Sequence, residues 1–253
     1  MEIKHFIVTR YNLQLAKKLE VLKRNEGWDL GPPDAWMEHR MGLFSKYCYP
    51  SVVGQTNQNF TWIILCDPAT APVYRDQLYE LIRPNIWFSL FQVDPFEFEE
   101  DRVGWNNVLV RINELAEDYE VVLTTRLDND DALRADYVDI MQTIALTRFR
   151  ESGLDQLLIN MKNGYKYDIY SGEMYSVSMH NSQFQTLIES KKPARTIIGL
   201  GNHSTAHERC VTFQMEEAGW MQILHDRNIY NRVKPGDVKT SAELVKRGFV
   251  FDD

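Results

Sequence analysis

Residues 120–131 read Glu-Val-Val-Leu-Thr-Thr-Arg-Leu-Asp-Asn-Asp-Asp. The first eight of these residues form an apolar, β-branched run of the kind found in strands that are buried on both faces of a parallel sheet. The run passes directly into three carboxylates, Asp128, Asp130 and Asp131. In open α/β sheets, ligands bind beyond the carboxyl ends of the strands. The stretch therefore predicts an α/β fold with an acidic ligand site at the end of this strand.

The residues before this strand alternate between short apolar runs and segments with helical periodicity. Strands are predicted at 3–9, 62–66 and 86–93. Helices are predicted at 13–24, 35–54, 72–83, 105–119 and, after the acids, 135–148. Pro50 is expected to end or restart the second of these helices. A β-α-β-α order implies a mostly parallel central sheet that is flanked by helices and joined by right-handed crossovers.

The residues after 150 follow a less regular pattern. The predicted elements there are strands at 156–162 and 173–180, a helix at 183–190, a loop over 195–210 and a short apolar element over 220–225. No internal repeat and no Ser/Gly-rich linker divides the chain. We therefore expect residues 1–253 to form one α/β domain, whose second half elaborates the ligand site.

Composition limits the partners that this chain can have. Its 36 acidic side chains exceed its 28 basic ones, which gives a net charge of −8. A nucleic-acid binder needs a basic face and attachment to an anionic membrane needs clustered positive charge, so neither partner is expected. The three cysteines show no metal-site spacing, and we find no signal peptide and no apolar run long enough to span a membrane;. These features predict a reduced, cytoplasmic protein.

The three carboxylates repel one another, and an opposite charge relieves that repulsion. A divalent cation with a preference for oxygen ligands, Mg²⁺ or Mn²⁺, is the natural counter-ion. Mg²⁺ commonly shares its coordination shell with substrate phosphates, so the cluster also predicts a phosphate-containing ligand. The structural alternative is an acidic turn in which Asp130 or Asp131 caps the following helix.

Other chemical motifs do not fit the sequence. An EF-hand that started at Asp128 would need Asp or Asn at position 5, Gly at position 6 and Glu at position 12. The chain instead has Ala132, Leu133 and Asp139 at those positions. The motifs of P-loop, Rossmann, zincin and α/β-hydrolase sites are also absent from the sequence;.

At this point the chain resembles a known family. A βαβ half that ends in Asp128-Asn129-Asp130 at its fourth strand is the layout of GT-A glycosyltransferases. Over about residues 3–232, the chain more narrowly resembles the family called "putative rhamnosyltransferase". The residues that carry this resemblance are His5-Phe6-Ile7-Val8-Thr9-Arg10-Tyr11-Asn12, Trp36 with Arg40 and Phe44, Pro50-Ser51-Val52, Thr125-Arg126-Leu127-Asp128-Asn129-Asp130-Asp131-Ala132 and Trp220-Met221-Gln222-Ile223-Leu224-His225.

The resemblance implies a GT-A-like domain that binds a divalent metal, Mn²⁺ or Mg²⁺, and a nucleotide-sugar donor. The donor would bind to about residues 1–134, and about residues 135–253 would form the acceptor side and C-terminal elements. Asp130 would be the first metal ligand, and Asp128 would contact the metal, the ribose or the sugar. The loop residues Thr9 and Arg10, together with Asp67, would cradle the nucleotide, and His225 would add a ligand for the metal or the diphosphate.

Several of these residues have a structural alternative. Arg10 could form a surface salt bridge, Asp67 could start the turn at Pro68, and a lone histidine such as His225 is commonly a satisfied structural residue. His203 and His207 could bind metal or pyrophosphate, although loop polarity explains them equally well. Four tyrosines could stack on an acceptor sugar or pack against the sheet, namely Tyr165, Tyr167, Tyr170 and Tyr175.

The resemblance implies metal-dependent transfer of a sugar, with rhamnose as the candidate, to a hydroxyl group of a saccharide or other acceptor. Transfer with inversion needs a general base near that hydroxyl, for which Asp131 and Glu208 are the candidates, with His207 behind them. A metal-dependent nucleotidyltransferase or phosphohydrolase, or a non-catalytic carbohydrate-binding protein on the same scaffold, is the alternative. No oligomeric state is indicated.

Overall fold

A computed structural model of the chain describes residues 1–13, 15–27, 29, 31–84, 88–92, 103–228 and 231–251. Its strands are β1 Ile3–Arg10, β2 Thr61–Cys66, β3 Phe88–Gln92, β4 Val121–Asp128, β5 Ala132–Leu133, β6 Gln156–Asp168, β7 Met174–Ser178, β8 Thr186–Glu189, β9 Thr212–Leu224 and β10 Val238–Thr240. Its α-helices are α1 Leu15–Glu26, α2 Pro33–Leu43, α3 Tyr49–Val53, α4 Pro72–Ile82, α5 Val103–Leu115, α6 Tyr137–Ile144, α7 Arg150–Ser152, α8 Thr196–Gly199 and α9 Ala242–Lys246. Within the described residues no helix is both long and apolar enough to cross a membrane.

The strands form a mixed sheet in the order β10-β7-β6-β8-β4-β1-β2-β3, with β9 beside β6 and β5 beside β9. The half that comes first in the chain is parallel, as predicted, because β1 pairs with both β2 and β4, and β2 pairs with β3. Residues 86, 87 and 93 of the predicted third strand lie outside the described residues. Antiparallel strands from the second half extend the same sheet through β8, which pairs with β4 and β6. The α/β prediction is therefore confirmed.

One predicted helix is wrong. Residues 183–190 contain strand β8, all four residues of which are buried between β4 and β6. A short apolar run has no periodicity that separates a buried strand from a buried helix. Here the β-branched Thr186 and Ile188 favour the strand, and pairing on both edges outweighs any local helical preference. The predicted strand at 156–162 and the apolar element at 220–225 are parts of the longer strands β6 and β9.

The helix that contains Pro50 continues through the proline after a widened turn. Residues 44–48 form a π-helical turn between α2 and α3, and Pro50 lies in the first turn of α3. Proline lacks the N–H that an α-helix would use and crowds the carbonyl four residues earlier, and a π-bulge is one way to accommodate a break in the hydrogen-bond ladder. Near the predicted restart at Pro50, the helix therefore changes from π-helical over residues 44–48 to α-helical over Tyr49–Val53. The uninterrupted course of α2 brings His39 and Arg40 toward the end of β4, where Arg40 contacts Asp130.

The second half of the sheet is fixed by a close contact between strands β6 and β9. Gly164 on β6 faces the Trp220 ring, and a Cβ at residue 164 would lie 2.3 Å from an indole carbon. Trp220 is fully buried, stacks on Phe184 at 4.8 Å between ring centroids, and donates its indole N–H to the Met161 carbonyl at 2.7 Å. This packing fixes the strand that leads to His225.

Candidate active site

A cleft of about 1410 Å³ lies at the carboxyl ends of β1 and β4, where Arg10 is the register partner of Asp128. This is the position at which an α/β sheet is expected to bind its ligand. Among the described residues, the cleft is lined by five cationic side chains and three carboxylates, namely Arg10, Arg40, Arg126, Lys166 and Lys234, and Asp128, Asp130 and Asp237. The cleft thus carries a surplus of two positive charges, although the chain as a whole carries −8.

Asp130 is buried against two partners from distant parts of the chain. Its Oδ2 atom forms an ion pair with the Arg40 guanidinium and lies 3.0 Å from Nε2 of His225. Burial alone would raise the pKa of this carboxyl, but the charge of Arg40 and the hydrogen bond from His225 outweigh it and hold the pKa below its usual range;. Arg40 also hydrogen-bonds to Asn129 at 3.2 Å, and its guanidinium carbon lies 4.6 Å from the centre of the Trp36 ring. Asp130 is therefore ionised and already paired with a cation of the protein.

Asp128 is flanked by two arginines. Its Oδ1 atom lies 3.5 Å from Nη2 of Arg10 and 3.6 Å from Nη2 of Arg126. Burial would raise the pKa of Asp128, but the charges of Arg126 and Arg10 outweigh it, so the pKa is below its usual range;. The structure thus places the predicted residues Arg10 and Asp128 together on the cleft wall and adds Arg126, which sequence reasoning did not assign.

The two predicted general bases do not line the cleft. Asp131 is fully buried, and its carboxylate accepts hydrogen bonds from the backbone N–H of Ile223 at 2.9 Å and from the Gln183 amide at 3.3 Å. These contacts tie the end of β4 to β9, and burial together with Asp130 and Asp128 raises the Asp131 pKa. Glu208 is exposed on a 3₁₀ turn outside the cleft lining. Neither carboxylate has the position that proton abstraction in the cleft requires.

Thr9 and Asp67 also lie outside the cleft lining. The fully buried Thr9 hydroxyl accepts the indole N–H of Trp62 at 3.0 Å. Asp67 starts a turn, because its Oδ1 atom accepts the Ala69 N–H at 2.8 Å and its carbonyl accepts the Thr70 N–H at 2.9 Å. The geometry at both positions matches a structural role, and for Asp67 it matches the turn-starting alternative.

His225 lies directly after β9 and faces two acidic partners. Its Nδ1 atom accepts the Arg227 backbone N–H at 3.2 Å, and its Nε2 atom lies 3.0 Å from Oδ2 of Asp130 and 2.9 Å from Nδ2 of Asn228. Because Nδ1 is an acceptor, the Nε2 atom carries the proton that is donated to Asp130. His225 also belongs to a group with His39 and Asp226 whose ligand atoms all lie within 4.8 Å of one another, the one such group of three found among the described residues. The predicted trio of Asp128, Asp130 and His225 does not meet that criterion.

This arrangement fits a divalent cation in part. For Nε2 of His225 to bind a cation beside Asp130, the ring proton would have to lie on Nδ1, and the hydrogen bond from the Arg227 N–H would be given up;. The carboxylate ligand suits Mg²⁺ or Mn²⁺, whereas an imidazole ligand is more typical of Zn²⁺, Cu²⁺, Fe²⁺ or Ni²⁺. Each carboxylate of the D-x-D, however, already forms an ion pair with an arginine: Asp128 with Arg10, and Asp130 with Arg40.

The remaining predicted residues divide between the cleft and the core. His203 lines the cleft, where burial, followed by the charge of Arg126, lowers the pKa of its imidazole to about 4. The His207 ring packs against His180 at 6.0 Å between ring centroids. Two of the four tyrosines, Tyr165 and Tyr167, pack against the C-terminal core, and none of the four lines the cleft.

The sequence analysis also assigned no role to two further polar side chains that line the cleft, Lys166 and Gln222. Lys166 on β6 is almost fully buried and donates to Asp237 at 2.7 Å and to the Arg232 carbonyl at 2.9 Å, which anchors the loop before β10. Gln222, its register partner on β9, is 2 % exposed, and its Oε1 atom has no hydrogen-bond partner. Strand alternation places both on one face, but only the β6–β9 register shows that this face is the cleft.

Several solved structures are similar to this one at low sequence identity. The structure is similar to residues 1–349 of S. aureus TarS, with 13 % identity, a TM-score of 0.45 and coverage of 88 % of this chain and 60 % of that one. The same TarS fragment in complex with UDP gives 14 % identity, a TM-score of 0.44 and coverage of 88 % and 61 %. A structure titled as a putative nucleotide-diphospho-sugar transferase from Desulfovibrio desulfuricans G20 gives 10 % identity, a TM-score of 0.41 and coverage of 88 % and 81 %.

The chain spans about three fifths of the TarS fragments that it matches. No curated protein sequence matches it. A family profile described as "putative rhamnosyl transferase" does match, over residues 30–237, which is most of the chain and includes α2, the D-x-D and His225. This match confirms the resemblance and, with the α/β sheet, the GT-A-like fold class. The chain belongs to the family described as "putative rhamnosyl transferase".

Proposed function

We propose that this protein transfers a sugar from a nucleoside-diphosphate sugar to a hydroxyl group of an acceptor. The observation that carries the proposal is the sign of the charge in the cleft, which has a surplus of positive side chains in a chain with a net charge of −8. A diphosphate has the complementary charge, and the cleft lies where an α/β sheet binds its ligand. Family membership supports glycosyl transfer and makes rhamnose the first sugar to test.

We propose further that a divalent cation, Mn²⁺ or Mg²⁺, serves the transfer step. Asp130 and His225 would hold it, with Asp128 as a further carboxylate on the same wall. When bound, the cation would act as a Lewis acid toward the departing nucleoside diphosphate. The residues of the chain bind and orient the donor: Arg10 and Arg126 attract its phosphates, and the Lys166–Asp237 pair holds the loop on the other wall.

We also propose that the protein works in the cytoplasm. All three cysteines are unpaired in the structure, and two of them, Cys48 and Cys66, are buried thiols. Burial raises the pKa of both thiols, so both are poor nucleophiles for disulfide formation;. This state is the one expected in a reducing compartment.

A thermal-shift panel tests the donor class. We expect UDP, dTDP or GDP, or the corresponding nucleotide-sugar, to raise the melting temperature by about 5–10 °C at roughly 100 times its dissociation constant. Each ligand is measured with Mn²⁺ and with EDTA, and free monosaccharides serve as the comparison. A response to monosaccharides without any response to nucleotides would contradict the proposal and favour a carbohydrate-binding protein.

A further inference from the structure

Two guanidinium groups meet on the cleft wall around a single carboxylate oxygen. Arg10 is the last residue of β1, and Arg126 lies on β4 two residues before Asp128, on the same face of the strand;. Their Nη2 atoms lie 3.5 and 3.6 Å from the same Oδ1 atom of Asp128. Both arginines line the cleft, with side chains that are 37 % and 19 % exposed.

Asp128 does not satisfy these two cations. The N···O distances exceed the 2.7–2.9 Å that is usual for a strong guanidinium–carboxylate hydrogen bond. Each guanidinium has five N–H donors, and the buried Nε of Arg126 has no partner in the structure;. Because both guanidinium groups lie beside the same carboxylate oxygen, their two positive charges are close together and repel each other;. A second anion would relieve this repulsion and use the free donors.

The free donors and the charge select the class of anion. Guanidinium groups bind phosphate oxygens through two parallel hydrogen bonds, a geometry that lysine cannot provide. Because both Nη2 atoms lie close to one oxygen atom, one bridging anion with two phosphoryl groups can reach both of them. The nearby His203 is held neutral, with its pKa lowered to about 4 by burial and then by Arg126, so it can add a hydrogen bond without adding charge.

We propose that Arg10 and Arg126 bind the diphosphate of the nucleotide directly, without a divalent cation. This inference rests on the proposed function, because it takes a nucleoside diphosphate as the ligand. It assigns the two roles of the site to different residues: the arginines hold the diphosphate, and the cation at Asp130 and His225 serves transfer. Binding and transfer should therefore differ in their sensitivity to chelation.

Calorimetric titration of the full chain tests this assignment. The probes are UDP, dTDP and inorganic pyrophosphate, each in excess EDTA and again with Mn²⁺. We expect the preferred nucleotide to bind in EDTA, with an affinity within about tenfold of that in Mn²⁺. Arg126→Gln should weaken binding in EDTA by about 10- to 100-fold, as is typical for a lost charge-assisted hydrogen bond. Arg126→Lys should recover part of the loss, because lysine keeps the charge without the planar fork.

The matched control is Arg111→Gln, which removes an arginine from an exposed ion pair with Glu114 and should bind like the unmodified protein. Arg10→Gln, at a more exposed side chain, provides a second variant whose folding is easily checked by its melting temperature. Loss of all nucleotide binding in EDTA, or unchanged binding in both Arg126→Gln and Arg10→Gln, would overturn the inference. Chelator-resistant binding without sugar transfer would contradict the proposed function alone.

Discussion

Replacement of Arg40 by methionine should lower the free energy of unfolding by about 3–5 kcal/mol, because removal of one partner of a buried ion pair leaves the other charge uncompensated. The side chains of Arg40 and Asp130 are 10 % and 9 % exposed, so little water can replace the lost partner. The same change removes the contacts of Arg40 with Asn129 and the Trp36 ring. Urea denaturation followed by tryptophan fluorescence measures the effect.

A double variant separates the ion pair from the lost packing. Arg40→Met combined with Asp130→Asn removes both charges, and it should be more stable than Arg40→Met alone, because burying a neutral pair costs much less than burying one charge. Arg111→Met, which breaks an exposed ion pair with Glu114, should cost less than about 1 kcal/mol;. The changes in the free energy of unfolding caused by Arg40→Met and by Asp130→Asn are compared with that of the double variant. If the two single effects simply add, Arg40 does not stabilise the charge of Asp130, and the prediction is wrong.

Replacement of Asp130 by asparagine should reduce sugar transfer by about 100-fold or more. A metal ion that stabilises a departing diphosphate contributes several kcal/mol to the transition state, and each 1.36 kcal/mol corresponds to a factor of ten in rate. The change removes the carboxylate that lies 3.0 Å from His225 while keeping the size of the side chain. The measurement is the initial rate of nucleoside diphosphate release at increasing Mn²⁺ concentrations.

Two comparisons make the Asp130 result interpretable. Asp118→Asn, at an exposed position outside the cleft lining, should transfer sugar at the unmodified rate. Nucleotide binding by the Asp130→Asn variant in EDTA should persist, because Arg10 and Arg126 are unchanged, and it shows that the variant is folded. Retained activity in Asp130→Asn with an unchanged response to Mn²⁺ would disprove the metal role of this residue.

Local patterns in the sequence were sufficient to predict the strands of the parallel half of the sheet and the position of the acids at its edge. The apolar run that ends at Asp128 becomes β4, the run near residue 3 becomes its neighbour β1, and the run near residue 62 becomes β2 on the other side of β1. Strand alternation also places Arg126 on the face of Asp128. That signal was present in the sequence, although no role was assigned to Arg126.

The partners of Asp130 and Asp131 come from distant segments of the chain, so no local sequence pattern predicts them. Arg40 lies near the end of helix α2, 90 residues before Asp130 in the sequence, and reaches it only through the tertiary fold. Asp131 is buried because β9 presents the Ile223 N–H to it, whereas its neighbour Asp130 faces the cleft. Adjacent identical residues thus differ in role through the tertiary arrangement alone. For the same reason, the charge of the cleft is opposite in sign to that of the whole chain.

The identity of the small-molecule product tests the central claim most directly. The purified protein is incubated with Mn²⁺, nucleotide-sugars that include dTDP-rhamnose, and a mixture of saccharide acceptors. A parallel reaction contains nucleoside triphosphates with sugar 1-phosphates, and released phosphates are separated by ion-exchange chromatography. We predict release of a nucleoside diphosphate that depends on the acceptor and is lost in the Asp130→Asn variant. Release of pyrophosphate from the triphosphate reaction, with no nucleoside diphosphate from any nucleotide-sugar, would contradict glycosyl transfer and indicate a nucleotidyltransferase.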